Sequence, residues 1–195
     1  MDTKGILRIT GIVGFIVAAV TAYVYIAYIL VPVITPILTH QIETQLSNEG
    51  ISISQSEVSG AVSFITAIMP ITTVIGLLIG WLIESAVLWA LLRAFRINAG
   101  FADTWLLSGN YLYLNVIQTA VIVETPLFNY AVNAVITHRT IPSEPVSMAI
   151  GLAFAVLGSL LLAYIFARVY GTNMRRALIP TLIALIIFWA ISAVV

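Results

Sequence analysis

Glu84 stands inside an uninterrupted apolar run, with Gly80 and Gly76 one and two helical turns behind it. A carboxyl group in such a place has three chemical uses. It can exchange a proton, pair with a cation, or hydrogen-bond a neighbouring helix. Few other residues offer chemistry. His40 and His138 lie in polar stretches, and with no cysteine and no HExxH pattern a metal site is not expected. No GxSxG, Walker A loop or GxGxxG occurs, so nucleophilic hydrolysis and nucleotide binding lack a motif. No catalytic residue and no cofactor is assigned; a non-enzymatic protein is expected.

The elements that must hold Glu84 follow from composition. The 195 residues are 61% hydrophobic and 8% charged, against about 25% charged in ordinary soluble domains. So much apolar surface requires the bilayer as solvent. A net charge of zero provides no field to draw nucleic acid. About 20 apolar residues cross the hydrocarbon core, and five segments qualify, at roughly 9–30, 71–92, 104–123, 146–167 and 177–195. The expectation is an all-α integral membrane bundle of five transmembrane helices forming a single domain over 1–195. The first segment is too long for a cleaved signal and is expected to be retained.

Pro32 and Pro36 are expected to kink or end the first helix near the interface. The apolar piece 61–69, cut off by Pro70, is taken as a continuation of the second helix beyond a kink. The polar stretch 40–60 predicts a loop, briefly extended at 51–54. Segment 127–136, with Asn129 and Asn133 on one face, suits a helix lying in the interface. Ser143, Glu144 and Pro145 form a start signal for the fourth span. Gly151, Ala155 and Gly158 predict a close helix contact there.

Orientation is set by Lys and Arg, which favour cytoplasmic flanks. With the N-terminus inside, Lys4, Arg8, Arg93, Arg96, Arg168, Arg175 and Arg176 are all cytoplasmic, seven of the eight basic residues, and only Arg139 falls outside. The expected topology is therefore N-terminus cytoplasmic, C-terminus outside. Arg93, Arg96, Arg168, Arg175 and Arg176 also form a rim that could hold anionic lipid head groups, although simple topology-setting charge is the plainer reading. Trp81, Trp89, Trp105 and Trp189 are expected as belt or packing residues.

In this frame Glu84 falls just to the cytoplasmic side of the midplane, where inserting an acid costs roughly 2.5–3.5 kcal/mol. Exposure to lipid is disfavoured. Gly76 and Gly80 share its helix face and predict a seam in which another backbone approaches closely. On the third span Ser108, Tyr111, Asn115 and Gln118 are spaced by three, four and three, a single polar stripe. Tyr111 and Asn115 fall at the depth of Glu84, which is expected to be protonated and hydrogen-bonded to one or both. Packing is the first reading of the acid, and a proton or cation site the second. A contact with a partner subunit is the third.

The stretch LLRAFRINAGFADTWLLSGNYLYLNVI, with its turn Asn98-Ala99-Gly100-Phe101 and its Gly109-Asn110-Tyr111, resembles the Yip family of multi-pass membrane proteins. ARVYGTNMRRALIPTLIALI is similar to the last two spans of that family and their short polar link. Leu114 and Asn115 stand where the family usually has a proline. Only seven residues precede Arg8, without the long acidic region through which eukaryotic members are thought to meet Rab-type GTPases. The short N-terminus points to a prokaryotic or archaeal member, and the resemblance does not justify a GTPase partner. It implies a membrane-organising or trafficking-type scaffold in the cell membrane (an endomembrane if the source is eukaryotic), assembling with itself or other membrane proteins. The alternatives are a small proton- or ion-coupled transporter or channel subunit using Glu84, and an accessory subunit of a larger membrane complex.

Overall fold

The computed structural model describes residues 2–50, 54–128 and 144–194. These are helical almost throughout, with no strand among them. Five helices are long and apolar enough to cross a membrane. They comprise α1 (Thr3–Val24), α2 (Val31–Asn48), α3 (Gln55–Ala94), α4 (Phe101–Ser108), α5 (Leu112–Val123), α6 (Glu144–Tyr170) and α7 (Met174–Val194).

α1 starts where the Asp2 carboxylate accepts from Gly5 N–H at 2.8 Å. It neither ends nor breaks at the prolines. Residues Tyr25–Leu30 form a π-helical turn, with Val31 N–H donating to Ile26 O, and α2 carries straight on with Pro36 inside it. The wider turn just before Pro32 moves aside the carbonyls that its ring would strike. The first span is thus one helical run of 46 residues, Thr3–Asn48.

The expected loop over 40–60 is mostly helix as well. α2 runs to Asn48, and α3 begins at Ser54, whose side chain and that of Glu57 cap each other's backbone N–H groups. α3 then continues for 40 residues with Pro70 inside it, as expected of a continuation. Residues 51–53 lie outside the described residues, as do the expected interfacial stretch beyond 128, His138, Arg139 and the Ser143 cap.

α3 closes in a Schellman turn. Ile97 N–H reaches Leu92 O and Arg96 N–H reaches Arg93 O, both at 2.9 Å, with Arg96 at φ 60°. Buried Leu92 and Ile97 supply the apolar contact of that motif. The third span is two helices. α4 and α5 are joined by a 3₁₀ turn over Gly109–Tyr111, which changes the phase of every side chain beyond it. Leu88, Leu92, Leu107, Leu162, Phe166 and Leu185 pack the end of the bundle where the two basic turns lie. There α6 and α7 are cross-linked by Thr181 Oγ1–H to Ser159 O at 3.1 Å.

Candidate functional site

Glu84 is buried, 8% exposed, and forms the inner end of a cleft of about 540 Å³ bounded by α3, α5, α6 and α7. Six of the seven residues expected in the polar seam line it: Gly76, Gly80, Glu84, Tyr111, Asn115 and Gln118. Ser108 does not. The 3₁₀ turn takes it out of the stripe, and it sits at the back of α3, accepting from Trp81 Nε1–H at 2.9 Å and sharing a hydrogen bond with Ser85 at 2.8 Å.

Two further expectations are corrected. Gly76 and Gly80 admit no neighbouring backbone: a Cβ on either would meet nothing within 4 Å. They create open volume rather than contact. The expected hydrogen bond from Glu84 to Tyr111 or Asn115 is also absent. The Tyr111 phenol lies beside both residues, yet Glu84 Oε1 is buried with no hydrogen-bond partner.

Aromatic rings share the remaining walls with the aliphatic side chains of Leu77, Leu112, Ile122 and Leu185. Phe154 comes from α6, Phe188 and Trp189 from α7, and Trp81 from α3. Both indole N–H groups are already engaged, that of Trp81 by Ser108 and that of Trp189 by Met148 O at 3.2 Å. Phe15 stacks on Trp81 with ring centroids 4.8 Å apart, and this fixes the α3 wall. The close contact expected at the fourth span is present. A Cβ on Gly151 would meet the Trp189 ring at 3.0 Å, and one on Gly158 would meet Tyr111 at 2.8 Å.

The closest backbone approach lies elsewhere, between α1 and the broken third span. A Cβ on Gly11 would land on the Leu106 carbonyl, and one on Gly14 would land on that of Gly109. Asn110 ties the crossing together, donating to Leu7 O at 2.8 Å and accepting from the Thr10 hydroxyl at 2.7 Å.

At the basic end the arginines divide. Arg93 donates to Asn98, and Arg176 Nε–H to Phe95 O at 3.1 Å, so these two tie the turns. Arg96, Arg168 and Arg175 are exposed. The principal charge cluster was not foreseen. Asp103, buried in the first turn of α4, is ion-paired with Lys4 and with Arg8 and accepts from the Tyr170 hydroxyl at 3.3 Å. The available signal was its place three residues after the Gly100 cap, where an acid complements the helix dipole. Among the described residues no three His, Cys, Asp or Glu side chains come together as metal ligands.

Compared with protein-family models, curated proteins and solved structures, the chain matches none.

Proposed function

We propose that this is a non-enzymatic multi-pass membrane protein that holds a small solute or proton between its helices. It would act as a small carrier or channel subunit with Glu84 as the binding group. One observation carries the reading: a buried carboxylate with an unpaired oxygen at the inner end of an open cleft. An acid retained only for packing would have its lone pairs satisfied by the seam it stabilises, because an unmet polar group inside the bilayer costs free energy. The interrupted third span beside it supports the same reading, since broken helices at membrane depth accompany binding sites in transporters. The N-terminus is cytoplasmic in this proposal, the membrane is the cell membrane, and the cleft runs from Glu84 toward the outer face.

The second reading is the Yip-like scaffold, favoured by the first helical hairpin. Runs of 46 and 40 residues measure about 70 and 60 Å, well beyond a bilayer of about 45 Å with its head groups. Exposed Phe64, Ile65 and Ile68 lie on its second arm. Reconstitution into proteoliposomes separates the two. A carrier gives proton or cation flux that Glu84→Gln lowers at least tenfold. A scaffold gives no flux above empty liposomes, but a stable oligomer or co-purifying membrane protein that Phe64→Ser disperses.

A further inference from the structure

From the walls of the cleft we infer that its ligand is an organic ammonium ion with an apolar body, its nitrogen on Glu84 and its hydrocarbon against the aromatic side chains of α6 and α7. The inference rests on the solute-binding reading and names its solute.

Four observations converge on that chemistry. The Glu84 oxygen has no partner, and none of the described cleft residues is basic, so the charge that completes the site arrives with the ligand. Tyr111 is the only other titratable group among the described cleft residues, and its phenol supplies no positive charge. The indole N–H donors of Trp81 and Trp189 are spent within the protein, which leaves apolar ring surface rather than donors on those walls. Such surface suits the hydrocarbon body of a cation and offers nothing to an anion. Gly76 and Gly80 hold the space open over two helical turns, and the 540 Å³ lies in the range of roughly 300–1,000 Å³ that small-molecule sites occupy.

Other occupants fit less well. A bare metal ion would want several oxygen ligands at close range, and the cleft holds one carboxylate in a volume far larger than an ion. A lipid chain would fill the volume and leave the Glu84 oxygen unpaired. A second copy of this chain could not bring a cation to that depth, since none of its eight basic residues lies in the interior of an apolar segment. An ammonium ligand satisfies carboxylate and rings together. Its charge and that of Glu84 enter the low-dielectric site as a hydrogen-bonded pair, the form in which buried charges are tolerated.

The test compares 4-phenylbutylammonium with 4-phenylbutan-1-ol, the same skeleton without the charge. Each is titrated calorimetrically into protein in lipid nanodiscs, with empty nanodiscs subtracted. The expected result is at least tenfold tighter binding of the ammonium. Glu84→Gln should erase that preference. Gly80→Leu, which fills open space and leaves thermal unfolding unchanged, should remove saturable binding of both probes. Equal affinity for the two probes, or an ammonium preference that survives Glu84→Gln, overturns the inference. A phospholipid or a second copy retained in the cleft by native mass spectrometry overturns it as well. Glu84-dependent proton flux without ammonium binding overturns the ligand assignment and leaves the solute-binding reading standing. Flux and binding both indifferent to Gly80→Leu overturn the two together.

Discussion

Asp103 answers two cations at once, and its surroundings set how much that is worth. Its side chain is 12% exposed, while those of Lys4 and Arg8 are 35% and 39% exposed. Exposed pairs contribute about 0–1 kcal/mol, whereas removing one partner of a buried pair costs about 3–5 kcal/mol. A buried acid facing half-exposed bases falls between. Asp103→Asn leaves two cations facing each other and is expected to cost about 2 kcal/mol, a fall in Tm of about 5 °C for a chain of this size. Lys4→Gln is expected to cost less than half of that, because Arg8 stays paired. Thermal unfolding in mild detergent measures both. A Tm for Asp103→Asn within a degree of wild type would show that the cluster is solvated rather than structural.

Glycine has opposite meanings in two of the helices. Gly11 and Gly14 let α1 touch the backbone of the third span, whereas Gly76 and Gly80 face open volume. Gly11→Ala therefore forces the crossing apart and strains the Thr10–Asn110 hydrogen bond, at an expected cost of about 3 kcal/mol. Gly76→Ala and Gly80→Ala clash with nothing. They should be neutral or stabilising by up to about 1 kcal/mol through helix propensity. Thermal unfolding of the three variants checks this, and a Gly80→Ala loss as large as that of Gly11→Ala would refute the open cleft. The same contrast shows what was legible in the sequence. Hydrophobic run length located all five spans, and the four-residue spacing from Gly76 to Glu84 placed three residues on the cleft wall. Spacing says which side chains share a face, but not what stands opposite, so the close backbone approach expected at Gly76 and Gly80 falls at Gly11 and Gly14 instead. The 3₁₀ turn that removes Ser108 from the stripe was equally invisible, since Gly109-Asn110-Tyr111 carries no breaker stronger than one glycine. Asp103 does not stand out in the sequence, because an acid at a helix end violates no rule of membrane insertion.

Across the whole molecule, charge and cleft have one polarity. Contacts among Arg8, Asp103 and Tyr170, and between Arg176 and Phe95, bring the N-terminus and both basic turns to one end. Glu84 lies ten residues before the end of α3, hence about 15 Å from that end, and the cleft residues Ile122, Gly151 and Trp189 lie farther along their helices from it. In the proposed topology Lys and Arg hold the basic end in the cytoplasm. The cleft must then face outward, and the tip of the long hairpin must stand clear of the membrane on that outer side. The chain contains no cysteine, so single cysteines report on this without background. Ser47, near the exposed end of α2, and Met174, exposed at the start of α7, mark the two ends. In intact cells a membrane-impermeant maleimide is expected to label Ser47→Cys fully, and Met174→Cys only after permeabilisation. The reverse pattern would turn the molecule over. Glu84 would then be reached from the cytoplasm, and an ammonium ion added outside would have to cross the bilayer before it could bind.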